Sequence, residues 1–238
     1  MASRNLLLIL FLILALLNLW AEYSFSQQLI FFTKPLLIST LGIWFFFETK
    51  NNDSLFRKLI LLALLFSVGG DILLMLVEGD PGRPNFFLFG LASFLVAHIF
   101  YLTAFVKYPS NQLGLVNRKK WWITVFAIYL AFFNYFLLPD VPKEMQVPVL
   151  VYSLAIMTML IACLNLNGKI PDQIFWILFV GAFLFMISDT IIALNKFKSS
   201  DFTIPLARIW IMSLYILGQY LIVRASAQLN SKIDKTAK

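Results

Sequence analysis

Hydrophobic residues run along this chain in eight long blocks, and the polar positions that would give a helix a wet face are nearly absent from each. The blocks cover residues 5–21, 28–47, 59–77, 86–106, 121–138, 147–166, 174–195 and 204–223. About 20 apolar residues in an α-helix match the roughly 30 Å hydrocarbon core of a bilayer. A helix in water keeps a polar stripe, whereas one that is apolar all round lies in lipid or in a deep core. The pattern therefore predicts an all-α, polytopic membrane protein built as a bundle of eight transmembrane helices. Residues 1–223 form one domain on this reading, and 224–238 form a short basic cytoplasmic tail.

Composition agrees: 61% of residues are hydrophobic and 13% are charged. The net charge of +7 is suggestive of a nucleic-acid binder until its distribution is read. Segments on the N-terminal side hold 13 Lys/Arg: Arg4, Lys50, Arg57, Lys58, Lys107, Arg118, Lys119, Lys120, Lys169, Arg224, Lys232, Lys235 and Lys238. The opposite loops hold four, Arg83, Lys143, Lys196 and Lys198. Positive charge accumulates on the cytoplasmic side of membrane proteins, so both termini are expected there. A basic cytoplasmic face suits anionic lipid headgroups, and no nucleic-acid partner is implied.

Trp20, Trp44, Trp121, Trp122, Trp176 and Trp210 fall near block ends, where indole rings favour the membrane interface. The single cysteine, Cys163, excludes an intrachain disulfide and a cysteine-based metal cluster. Residues 19–24 offer no small-x-small cleavage site, so the first block is expected to stay as a helix rather than leave as a signal peptide. Pro81, Pro84, Pro109, Pro139, Pro142, Pro148, Pro171 and Pro205 punctuate loops and helix starts. Pro35 instead lies inside the second block, beside Lys34, where it removes a backbone donor and frees the carbonyl of Phe31. Broken helices at membrane depth are tolerated where they line a cavity. The segments around Gly70-Asp71 and Ser188-Asp189 echo each other four blocks apart, as in a parallel duplication of a four-helix unit.

An ionised aspartate at the centre of a membrane helix costs on the order of 2.5–3.5 kcal/mol, so Asp71 and Asp189 are expected to face protein or water and to carry function. The topology puts Lys34, Asp71, Asp189 and Arg208 in the outer half of the membrane. They either share one cavity or form two structural ion pairs, Lys34–Asp71 and Arg208–Asp189. Gly90, Phe94, His98 and Tyr101 make one helical stripe, and Arg208, Met212, Tyr215 and Gln219 make another. His98 is either a packing hydrogen bond or a group that orients a headgroup or tunes a carboxylate. Arg208 either snorkels to the interface or grips a phosphate. Tyr152, Ser67, Ser188 and Asn134 are further polar candidates, each read first as an interhelical hydrogen bond. No Gly-x-Ser-x-Gly, His-Glu-x-x-His or P-loop motif is present, so acid–base chemistry by the aspartates is what remains.

At these residues the chain resembles the YhhN family, the lysoplasmalogenase-like group. The matching pieces are Lys34-Pro35-Leu36; Phe66-Ser67 through Gly70-Asp71-Ile72-Leu73-Leu74; Phe89-Gly90-Leu91 through Ala97-His98 and Tyr101; and Gly181-Ala182 through Phe185 and Ser188-Asp189. The resemblance implies an eight-helix hydrolase that cleaves the vinyl ether of lysoplasmalogens, with an ethanolamine or choline headgroup, to a fatty aldehyde and a glycerophospho-base. A related enol ether or lysolipid is the alternative natural substrate. Asp71 and Asp189 would be the catalytic pair, as two carboxyls divide acid and base roles in glycosidases. Lys34, His98, Tyr101, Ser188, Arg208, Tyr215 and Gln219 would bind substrate. Neither metal nor other cofactor is implied; the partners are a lysophospholipid and the bilayer, with no oligomeric state indicated. The expected location is a bacterial inner membrane. A competing class is a small-molecule or proton-coupled transporter, since carriers also bury Asp, Lys and His beside broken helices.

Overall fold

The computed structural model describes residues 2–79, 85–198 and 202–236; Pro81, Arg83, Pro84 and Lys238 lie outside them. Among the described residues nine α-helices follow one another: α1 Ala2–Tyr23, α2 Gln27–Glu48, α3 Leu55–Gly79, α4 Asn85–Val106, the short α5 Leu115–Arg118, α6 Trp121–Leu137, α7 Lys143–Leu164, α8 Asp172–Phe197 and α9 Ala207–Thr236. All but α5 are long and apolar enough to cross a membrane, α6 together with the 3₁₀ turn Leu138–Asp140. Among the described residues there is no β-strand, only a single bridge between Asn167 and Ile170.

The eight blocks become eight helices, with informative differences at their ends. Helix α9 starts at Ala207 rather than at 204, because Leu206 takes a left-handed conformation, φ 55°, that a right-handed helix cannot include. It also runs on to Thr236, through the residues expected to form a tail. Helix formers such as Ala225, Gln228 and Leu229 continue the turn, and no Gly or Pro falls between Arg224 and Thr236. Ala225, Ala227, Leu229 and Asn230 are buried. Asn52 Nδ2 donates to the Asn230 carbonyl (2.7 Å) and Ser54 Oγ to Asn230 Oδ1 (2.5 Å), which ties the helix end to the α2–α3 loop. Helix α7 begins at Lys143, placing Pro148 within its first turns rather than ahead of them.

Lipid tails are as apolar as leucine, so close packing rather than hydrophobic expulsion holds such helices together. The most intimate pairs are α3 with α4 and α8 with α9. These are equivalent pairs if the chain is a repeated four-helix unit. At the α8–α9 crossing Gly181 meets Gly218. A Cβ on Gly181 would come within 2.8 Å of the Ile222 backbone nitrogen, and one on Gly218 within 2.9 Å of the Gly181 carbonyl. Helix α6 is the most lipid-exposed, burying only Asn134 and Leu137. Asn134 joins it to α7 through Ser153 Oγ (3.1 Å). Trp20, Trp121, Trp176 and Trp210 are exposed as interface anchors should be, but Trp44 is not. Its ring is buried in the core with Arg224 above it at 5.7 Å.

Candidate active site

Two cavities open between the helices toward the ends at which α3 finishes and α4 begins. The larger, about 210 Å³, is polar and is lined from α1, α2, α3, α4, α8 and α9. Lys34, Asp71, Asp189 and Arg208, expected at a common depth, all line it, with Ser188 and Tyr215. The second is an apolar cleft of about 60 Å³ between α4, α6, α7 and α8. Leu91, Leu130, Phe133, Ile156 and Met157 form its walls. Asp189 lines both.

Each aspartate accepts a hydrogen bond from a tyrosine on another helix. Tyr215 Oη of α9 donates to Asp71 Oδ2 at 2.8 Å, and Tyr152 Oη of α7 donates to Asp189 Oδ2 at 2.5 Å. Asp71 is 3% exposed, so a hydroxyl there replaces lost water. His98 Nδ1 lies 2.7 Å from the carbonyl of Phe94 on its own helix. A carbonyl only accepts, so Nδ1 carries a proton. Nε2 faces Asp189 Oδ2 at 3.6 Å, a contact that needs a proton between the two atoms to be attractive. Aromatic rings pack around the two carboxyls: Tyr215 on Phe94 and Phe185, and Phe185 on His98.

The cations of the polar cavity meet a carboxylate that the sequence reading passed over. Arg208 Nε donates to Glu22 Oε2 at 2.7 Å, and Lys34 Nζ lies 3.9 Å from Glu22 Oε1. Glu22 belongs to the last turn of α1 and is 2% exposed. Its place is set by the α1–α2 turn. Phe25 takes the left-handed conformation, φ 54°, that usually falls to glycine, and the Ser26 amide bonds back to the Ala21 carbonyl at 3.0 Å. The Phe25 ring lies 5.2 Å from the Arg208 guanidinium. Arg208 thus turns inward instead of snorkelling.

The remaining expected residues divide. Ser188 Oγ donates to the Ile211 carbonyl (3.0 Å), locking α8 to α9 at the cavity wall. Tyr101 and Gln219 are fully buried and line neither cavity. Tyr101 Oη donates to Gln219 Oε1 (2.7 Å) and Gln219 Nε2 to Ser67 Oγ (3.1 Å), a closed link between α4, α9 and α3. Both helical stripes therefore face inward as read, yet their lower members hold helices together. Tyr152 makes the interhelical hydrogen bond expected of it, and its partner is an aspartate of the site. Among the described residues no three His, Cys, Asp or Glu side chains gather as metal ligands.

Residues 29–226 match the family model described as YhhN family. The chain belongs to the YhhN family. Similar proteins include the "Lysoplasmalogenase TMEM86B" of Sus scrofa, 34% identical over 70% of this chain and 62% of the relative. That of Rattus norvegicus is 34% identical over 79% of this chain and 68% of the relative. The "Lysoplasmalogenase TMEM86A" of Homo sapiens is 31% identical over 74% and 68%. The chain spans about three-fifths of the length of the first of these relatives. No solved structure matches it. The YhhN match begins after α1, so Glu22 lies outside it.

Proposed function

We propose that this YhhN protein is a lysoplasmalogenase-like hydrolase that cleaves the vinyl ether of a 1-alkenyl lysophospholipid inside the membrane. The observation that carries the reading is the position of Asp189 where an apolar cleft meets a charged cavity. A lysoplasmalogen has the same division: an alkenyl chain, a reactive ether, then a phosphate headgroup. With the first carbons of the chain in the cleft, its remainder in the surrounding lipid, and the phosphate at Lys34 and Arg208, the ether lies beside Asp189.

Hydrolysis begins with a proton delivered to the alkenyl carbon distal to oxygen, which leaves an oxocarbenium ion. That carbon lies toward the chain, the side on which Asp189 lines the cleft, so Asp189 is the general acid and His98 and Tyr152 hold it in place. Asp71, lining the polar cavity, takes a proton from the water that adds to the cation. The hemiacetal then collapses: the ether oxygen regains a proton from Asp71 and leaves as the glycerol hydroxyl. The hemiacetal proton returns to Asp189 and the fatty aldehyde is released. One water is consumed and no net proton. The placement supported by the Lys/Arg distribution has both termini in the cytoplasm and the site in the outer half of the membrane.

The test is direct. Purified protein in detergent, given a 1-alkenyl lysophospholipid, should release fatty aldehyde, whereas a transporter needs a sealed compartment and yields none. Absence of aldehyde from both ethanolamine and choline substrates ends the hydrolase reading.

A further inference from the structure

The mechanism above leaves one buried charge without a task. Glu22 lines the polar cavity; its Oε2 accepts from Arg208, and its Oε1 is buried and accepts no hydrogen bond, with Lys34 Nζ in ion-pair range at 3.9 Å. With Asp189 protonated as the general acid, the cavity wall carries Lys34, Lys196 and Arg208 against the carboxylates of Glu22 and Asp71. A phosphate that engages Lys34 and Arg208 draws them from Glu22. A buried carboxylate deprived of its cations is strongly unfavourable, so a ligand that brings a phosphate must also bring a positive group.

We propose that Glu22 is the subsite for the headgroup ammonium, and that it selects zwitterionic lysolipids whose amine carries N–H donors. The identity of the ligand rests on the hydrolase reading; the subsite itself rests on a buried carboxylate oxygen that accepts no hydrogen bond. An ethanolamine ammonium supplies both charge and a hydrogen bond to Oε1. A quaternary ammonium supplies charge without a hydrogen bond, and a phosphoglycerol headgroup supplies hydroxyl donors without positive charge. The expected order is ethanolamine, then choline, then glycerol. The α1–α2 turn supports this arrangement, since the left-handed Phe25 holds Glu22 and Arg208 together at the cavity edge.

The experiment compares kcat/KM for 1-alkenyl lysophosphoethanolamine and lysophosphoglycerol on one preparation, so that any inactive fraction cancels. Wild type should favour ethanolamine by about tenfold or more, the scale of one charge-assisted hydrogen bond. Glu22→Gln should bring the ratio below about twofold. If that variant does not fold, Glu22→Asp, which withdraws the carboxylate by one methylene, should narrow the ratio instead. A wild-type ratio near one, or an unchanged ratio in the folded variant, overturns the proposal. Uncleavable 1-alkyl analogues separate the two readings. Thermal stabilisation by the ethanolamine analogue above the glycerol one, lost in the variant, supports the subsite even where no aldehyde is released. Aldehyde release with no headgroup preference leaves the hydrolase and removes the subsite.

Discussion

Tyr152 Oη donates to Asp189 Oδ2 at 2.5 Å, joining α7 to α8 where the apolar cleft meets the polar cavity. The same tyrosine packs edge-on against His98, 5.3 Å between ring centroids. Tyr152→Phe keeps the ring and loses the hydroxyl. Loss of about 1–1.5 kcal/mol of orienting hydrogen bond should lower kcat roughly tenfold, with little change in KM. A raised KM with kcat intact would place Tyr152 in binding instead.

Asp71→Asn and Asp189→Asn preserve shape and an acceptor oxygen for the tyrosine hydroxyl. Each should elute as the wild type in detergent and lose about 10²–10⁴-fold in aldehyde release, the usual scale of a general acid or base. Wild-type turnover by Asp189→Asn removes the two-carboxyl mechanism.

Carbon protonation leaves an isotopic record. In D₂O, aldehyde trapped as it forms should carry one deuterium on the carbon next to the carbonyl, read by mass spectrometry. An unlabelled product excludes proton delivery to the alkenyl carbon.

Ala193 lines the apolar cleft, so Ala193→Phe fills space assigned to the alkenyl chain. Activity on long-chain substrates should fall about tenfold while short-chain substrates are little affected, because overpacking penalises only what must share the cleft. Equal losses on both place the chain elsewhere.

At the α8–α9 crossing, Gly181→Ala puts a methyl against backbone atoms at 2.8–2.9 Å. Backbone cannot rotate away, so a loss of about 1–3 kcal/mol is expected, read as a lower melting temperature in detergent. Gly42→Ala is the control, since its nearest neighbour lies at 3.9 Å and the change should stay within about 0.5 kcal/mol.

Much of the fold could be read from the chain alone because lipid is an exacting solvent. Unbroken apolar blocks of helix length have one stable form there, and the eight helices appear where the blocks lie. Asp71 and Asp189 stood out because a carboxyl in such a block is costly unless protein surrounds it. The stripes through His98 and Tyr215 were legible as inward faces because 3.6-residue periodicity decides which side chains share a side.

Periodicity does not say which helix a face meets. Tyr101 and Gln219 looked like cavity residues but pair with each other and with Ser67, a contact between positions 118 residues apart in the first pair. The end of α9 looked like a tail because Lys and Ser ended its hydrophobic run, yet Asn52 and Ser54 give it a partner. Glu22 looked like a residue at a helix end.

The order of the blocks and the chemical types held within them therefore determined a membrane bundle with two costly carboxyls. Only the packing of α1 and α9 against the rest decided that Glu22 faces Lys34 and Arg208, and only the packing of α6 and α7 against α4 and α8 decided that Asp189 stands where two cavities meet. Those relationships join residues up to 186 positions apart, and their geometry comes from helix crossings that no local pattern encodes.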